Sequence, residues 1–351
     1  MKIKALTFEN QVFYIGIDPH LKSWTVTIRT SDNEIKTFRM DPVPEQLVAY
    51  LNKNFPSGIY KSVYEAGFCG FWIHHRLTKL RVNNIVTHAA DVPTTQKEKQ
   101  QKSDPRDSRK LAREHECNNL KPIYVFSLED QTLKSLCRLR ESQGRDLTVV
   151  KNRICSYIHL FGQRIPEESR WTGAFIKKLY IISERLPNGE TLKHLANSLV
   201  SKKKEILATT RNLRKAILRS EKGNILRLLL KIPGIGFITA ATLITEICNI
   251  HRFRNFNTLA SFTGFIPSIE SSDEKIIVKG LTKRRNKHIQ EMLIEASWVA
   301  IKKDLVLLND FTKFSKRMKK QEAIIKIAKK LLNRVKAVWL NNIEYKTCLV
   351  D

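Results

Sequence analysis

Four carboxylates stand where metal-assisted phosphoryl chemistry would want them. Asp18 closes the apolar run Tyr14-Ile15-Gly16-Ile17, and Glu65 closes Val63-Tyr64. Asp104 and Asp107 lie three apart just after Ser103. Two-metal cleavage of phosphodiesters needs several carboxylates converging on divalent ions about 3.5–4 Å apart. Hard oxygen ligands select magnesium or manganese. Clustered carboxylates also repel one another, and a bound cation relieves that repulsion. Each acid has a plainer reading beside this one. Acids at strand ends are commonly just solvated, and Asp104 and Asp107 would also favour a helix N-terminus electrostatically.

Two further groups bear on phosphate chemistry. Pro233-Gly234-Ile235-Gly236 is a short glycine turn between helical stretches. Such a turn exposes backbone amides and a helix N-terminus to phosphate, in the manner of a helix-hairpin-helix motif. A plain helical corner is the alternative. Farther on, Ser271 and Ser272 are expected in a polar loop, followed by the basic cluster Lys283, Arg284, Arg285, Lys287 and His288. A serine can attack phosphorus where cations stabilise the developing charge. Loop serines are more often turn or capping groups. Nothing in the spacing pairs His288 with a serine, so no Ser-His-Asp arrangement is argued.

The elements that must carry these residues follow from apolar spacing. Residues 13–18, 24–29 and 34–40 read as strands joined by tight polar turns, an antiparallel meander. A helix over 44–51, a strand over 60–65, a helix over 71–80 and a strand over 84–89 then make a mixed α/β sheet. Asp18 and Glu65 fall at carboxyl ends of strands, where open α/β sheets place active sites. Ser103 and Pro105 mark a helix start, and the spacing of Asp104 and Asp107 gives them one face of it. Beyond Leu133 the period becomes helical. Leu147, Val150, Ile154, Tyr157 and Phe161 form one seam, and Leu192, Leu195, Leu199, Ile206, Leu213 and Ile217 a second. Pro166 and Pro187-Asn-Gly interrupt the region between them. The expected division is an α/β domain over 1–126, a helical spacer over 127–222, and a mostly helical domain over 223–351 with a basic amphipathic tail. The spacer reads equally as a coiled coil or an ordinary bundle.

Charge narrows the partner. The chain has 351 residues, with 62 Lys and Arg against 34 Asp and Glu, a net of +28. Residues 1–100 hold 13 basic and 9 acidic side chains, whereas 101–351 hold 49 and 25. The surplus points to a polyanion, with the grip in the later part. No apolar run nears the ~18 residues of a membrane span, and no signal peptide is expected. Six scattered cysteines without paired zinc spacing argue against a disulfide scaffold or a zinc finger, and fit a cytoplasmic chain.

Taken in order, Tyr-Ile-Gly-Ile-Asp18-Pro-His, Val-Tyr-Glu65-Ala-Gly, Lys-Ser-Asp104-Pro-Arg-Asp107-Ser-Arg-Lys-Leu-Ala, Ile-Pro-Gly-Ile-Gly and Leu-Ala-Ser-Phe-Thr-Gly-Phe-Ile-Pro with its following Ser-Ser resemble the DEDD transposases. That family comprises insertion-sequence transposases and Piv invertases, described as bridge-RNA-guided recombinases. The resemblance runs over roughly residues 12–300. It implies a RuvC-like, RNase-H-type first domain whose Asp18, Glu65, Asp104 and Asp107 bind Mg2+ or Mn2+. It implies a second domain whose serine forms a transient phosphoserine link to DNA. Ser272 is the best match for that nucleophile and Ser271 its close rival. It further implies homodimers or homotetramers with composite sites, donor and target DNA as substrates, and a noncoding bridge RNA as guide. Gly234, Gly236, Lys283, Arg284, Arg285 and Lys287 would contact nucleic acid. Two positions depart from the pattern: Asp273 stands where the family has glycine after the second serine, and Arg285 precedes Asn286 in place of a glycine. Two other readings are a hydrolytic RuvC-like nuclease and a non-catalytic nucleic-acid binder.

Overall fold

A computed structural model describes residues 7–31, 33–95, 103–164, 170–272, 275–282 and 284–346, with backbone alone over 268–272, 275–279 and 281. The chain forms two compact units, 1–126 and 127–351.

The first unit is built on a five-stranded sheet. Its strands are β1 (Val12–Pro19), β2 (Trp24–Arg29), β3 (Glu34–Met40), β4 (Ile59–Glu65) and β5 (Asn83–Thr87). The spatial order is β3-β2-β1-β4-β5. The first three pair antiparallel, and β1–β4 and β4–β5 are parallel. The expected meander followed by a parallel extension is present, with strand ends within a residue or two of the sequence reading. The parallel strands require crossovers. Helices α1 (Pro44–Asn54) and α2 (Trp72–Lys79) provide them.

Strand alternation sorts the side chains into two layers. Phe13, Ile15, Ile17, Trp24, Val26, Ile28 and Tyr64 form one core with Leu47, Leu51, Ile73 and Leu77 of α1 and α2. The opposite parity of β1 and β4 holds Gly16, Asp18, Val63 and Glu65. Helix α3 (Asp104–Glu116) covers that face, and its Leu111 joins Val63 in a smaller core. The helix lies close because Gly16 has no side chain. A Cβ there would stand 2.0 Å from the Ser108 carbonyl oxygen and 2.6 Å from the Ala112 nitrogen. A buried hydroxyl pair, Thr27 to Ser108 at 2.8 Å, pins the helix in register.

The second unit begins with a long helix pair, α4 (Leu128–Leu160) and α6 (Gly189–Arg219), with α5 (Gly173–Arg185) between them. Sequence spacing showed the two long helices but gave no helix over 173–185. Thr172 caps α5 by accepting from the Phe175 nitrogen. Val150, Ile154, Ile158, Phe175, Leu179, Leu192, Ala196 and Leu199 make a local core at one end of the pair. At the other end Leu133, Cys137, Leu213 and Ile217 enter the main core of the unit. Pro166 lies outside the described residues. The main core gathers α7 (Gly223–Leu230), α8 (Phe237–Ile247), α9 (Phe256–Thr263), α10 (Lys287–Ala300), α11 (Leu305–Ser315) and α12 (Lys320–Asn341). The predicted tail stripe, Ile324, Ala328, Leu331, Val335 and Val338, is buried in it.

One expectation is corrected. The serine-bearing loop is a hairpin of β6 (Pro267–Ser272) and β7 (Lys275–Leu281). The β-branched run Ile276-Ile277-Val278 supplies a partner strand, and pairing holds the serine segment extended.

Gly16→Ala should loosen α3. Overpacking of this kind costs about 1–3 kcal/mol, so α3 amides should exchange with solvent roughly 5- to 150-fold faster by hydrogen-exchange mass spectrometry. Gly144→Ala, inside α4 with open space around it, should act oppositely. It should slow exchange in α4 by about two- to fivefold, because alanine is the better helix former.

Candidate functional site

The acids meet because period two and one helix coincide. Tyr14, Gly16 and Asp18 share a face of β1, as Val63 and Glu65 do on β4. Ile17 pairs with Tyr64 in the parallel register, so the next step sets Asp18 alongside Glu65. Helix α3 begins over that edge. Ser103 is its N-cap in backbone geometry, but its side chain makes no capping hydrogen bond. The first turn instead carries Asp104 and Asp107 toward the strand ends.

His20 joins them. Its Nε2 is 3.3 Å from Asp18 Oδ2 and 3.5 Å from Asp104 Oδ1. One ligand atom from each of Asp18, His20 and Asp104 lies within 4.8 Å of the others. Burial pushes the Asp18 carboxyl above its ordinary 3.8; the His20 imidazole pulls it down, and the charges of Asp104 and Asp107 push it up again. Negative charge is therefore crowded here. Two carboxylates offer hard oxygen donors of the kind that suit magnesium or manganese, and the imidazole adds a borderline nitrogen donor. Glu65 and Asp107 are linked by Lys110. Its Nζ is 3.2 Å from Asp107 Oδ1 and 3.9 Å from Glu65 Oε1. Arg39 Nη2 approaches Asp104 Oδ2 at 3.3 Å from the solvent side.

Sequence reasoning missed His20 and Lys110. A strand-parity signal existed for His20, two residues beyond Asp18. For Lys110 the i,i+3 spacing from Asp107 was such a signal, obscured because lysine is normally exposed.

In the second unit, the glycine turn joins α7 to α8. Gly234 has φ +87°, and a Cβ there would stand 2.5 Å from the Ala296 carbonyl oxygen and 2.8 Å from the Ala300 Cβ. Its role visible here is the close approach of α10. The Ile235 amide turns inward to the Ile232 carbonyl at 3.0 Å. Gly236 is the N-cap of α8 and faces open space. The turn borders an open cleft of about 500 Å³ that includes Lys231, Lys303 and Glu295.

Asn286 caps α10 by accepting from the Ile289 nitrogen, and its amide donates to Glu246 Oε2 at 2.8 Å. Glu246, in α8, is 1% exposed. Arg138 Nε donates to it at 2.8 Å, and Lys134 Nζ lies at 3.1 Å. Burial pushes the Glu246 carboxyl up. The Arg138 hydrogen bond, the Lys134 charge and the Asn286 amide outweigh burial and hold it below its ordinary 4.5. The acid thus ties α4, α8 and the start of the basic segment together.

Within that segment, Arg285 Nη1 donates to the Thr282 carbonyl at 3.2 Å, and Lys287 Nζ is 3.5 Å from Glu291. Arg284 is exposed. His288 Nδ1 is 2.5 Å from Glu141 Oε2, not beside a described serine. Ser271 and Ser272 are the last residues of β6, opposite Ile276 and Lys275. Asp273 and Lys283 lie outside the described residues.

A mixed α/β sheet with carboxylates at its strand ends, joined in one chain to a strongly basic helical unit, is an arrangement suited to metal-assisted chemistry on nucleic acid. Comparison with known proteins narrows this. Residues 226–313 match the family model described as transposase, IS116/IS110/IS902 family. The chain is 23% identical over 204 residues to a transposase for insertion sequence element IS1111A of Coxiella burnetii, covering 57% of this chain and 55% of that protein. It is 22% identical over 235 residues to the putative transposase y4qE of Sinorhizobium fredii, covering 67% and 57%. It is 25% identical over 175 residues to a transposase for insertion sequence element IS1328 of Yersinia enterocolitica, covering 49% and 50%. The matched stretches thus span about half the length of these relatives. Among the described residues no helix is long and apolar enough to cross a membrane.

The Glu246 network gives a pH prediction. A carboxyl held below its unfolded value contributes stability above about pH 4.5, and loses it as pH falls through the folded value. Glu246→Gln should cost about 1.5–3 kcal/mol at pH 7, the range for hydrogen bonds to charged groups, since it removes the charge faced by both the half-exposed Arg138 and the largely buried Lys134. In denaturant titrations of the full chain, the gap between variant and wild type should narrow below about pH 4.5.

Proposed function

We propose that this chain is a transposase of a mobile element, cutting and rejoining DNA. The observation that carries the reading is the grouping of Asp18, His20 and Asp104, with Lys110 between Asp107 and Glu65, in a chain whose residues 226–313 match a transposase family. A divalent ion bound there would polarise a phosphate oxygen and stabilise the charge that develops on cleavage.

The finer reading is a RuvC-like first domain and a serine nucleophile. The meander with its parallel extension and the acids at strand ends support the first part. Ser272 Oγ would attack phosphorus, a P–O bond to a sugar would break, and the serine proton would end on the leaving sugar oxygen. The phosphoserine link conserves the number of phosphoester bonds, so a second sugar hydroxyl can reverse the step onto new DNA without an energy source. Ser271 is the neighbouring alternative. The basic surplus supports DNA as substrate, with Gly234, Gly236, Lys283, Arg284, Arg285 and Lys287 as nucleic-acid contacts. In the same reading a noncoding bridge RNA chooses the sites. Dimers or tetramers bring one subunit's acids to another's serine, and the protein works in the cytoplasm at the nucleoid.

Suicide DNA substrates carrying the element ends test this. With Mg2+ or Mn2+, wild type should form a covalent protein–DNA adduct that Ser272→Ala abolishes. Asp18→Asn should slow cleavage at least about a hundredfold, the loss of several kcal/mol of charge stabilisation. Metal-dependent cleavage without any adduct would instead mark a hydrolytic nuclease. Cleavage indifferent to Asp18 would end both enzymatic readings and leave a binder.

A further inference from the structure

Lys110 is an unusual neighbour for metal-binding acids. Its side chain is 9% exposed, against 53% for Lys193 and 33% for Lys202, which form ordinary i,i+3 pairs on α6. Surface pairs of that kind contribute little. A buried ammonium, in contrast, costs several kcal/mol unless it is well paired. Lys110 is paired twice and across elements, with Asp107 on its own helix and with Glu65 on β4. It therefore links the helix to the strand rather than decorating the helix surface.

The cluster divides accordingly. On one side Glu65 and Asp107 share a positive charge already present in the chain. On the other, Asp18 and Asp104 have His20 between them and donor atoms within reach of one small ion. Building on the metal-site reading above, we propose that Lys110 is a positioning residue that acts as the site's fixed cation. It holds Glu65 and Asp107 in place of one divalent ion, so the protein without DNA takes a single ion at Asp18 and Asp104. A second ion enters only by displacing the ammonium.

The test is a Mn2+ titration of the full-length chain at neutral pH, with free Mn2+ read by electron paramagnetic resonance. Wild type should bind one ion per chain, with any second at least about tenfold weaker, as expected for an ion placed beside a fixed positive charge. Lys110→Met should bind two ions within about tenfold of each other, and Lys110→Arg should return to one. Wild type binding two ions equally well would overturn the proposal, whether or not Lys110→Met folds. So would a folded Lys110→Met, verified by circular dichroism, that still binds one. Failure of the parent reading looks different: an Asp18→Asn, Asp104→Asn double variant that binds Mn2+ like wild type would show that the ion sits elsewhere.

Discussion

The first unit depends on a backbone-to-backbone approach. Helix α3 rests on β1 at Gly16 so closely that a single methyl group would collide with the Ser108 carbonyl. That contact fixes the height of the helix over the sheet, and Thr27 with Ser108 fixes its position along it. Two residues further along β1, on the same face, is Asp18. One turn back along α3 from Ser108 is Asp104. The spacing between these carboxylates is thus set by covalent geometry on both elements once the glycine contact forms. Such a site does not rely on loop conformation for its first-order geometry.

Crowding of carboxylates at the strand ends opposes folding. Asp18 is partly buried beside two other carboxylates, and its raised proton affinity records the strain. His20, Lys110 and Arg39 each offset part of this with charge or hydrogen bonds. The second unit handles its buried acid differently. Glu246 is surrounded by Arg138, Lys134 and Asn286, and its proton affinity falls. Burial and neighbouring carboxylates leave Asp18 with a raised proton affinity, whereas Arg138, Lys134 and Asn286 satisfy Glu246 where helices pack together.

The five strands of the first unit were legible as short apolar or alternating runs between polar turns, two of them ending in acids, and the helix start at Ser103-Asp104-Pro105 was legible from its capping pattern. That Asp18 and Glu65 face α3, rather than the α1/α2 core, also follows from parity alone. The β6–β7 hairpin was not legible, because serine-rich segments beside glycines read as turn. Helix α5 was hidden between two proline-marked breaks. Lys110 was hidden by its residue type. Glu246 left a trace that could have been followed: it is the one acid in the otherwise apolar or hydroxyl-bearing run of α8 (Phe237–Ile247), and a buried carboxylate demands partners. Roles that depend on pairing across distant elements, such as Arg138 with Glu246, exist only once the chain has folded.

The most direct examination of the central claim is anomalous diffraction from crystals of the full chain grown with Mn2+. A manganese peak bonded to carboxylate oxygens of both Asp18 and Asp104 is the expected result. Manganese bound firmly at other groups, with no peak between those two side chains, would contradict it.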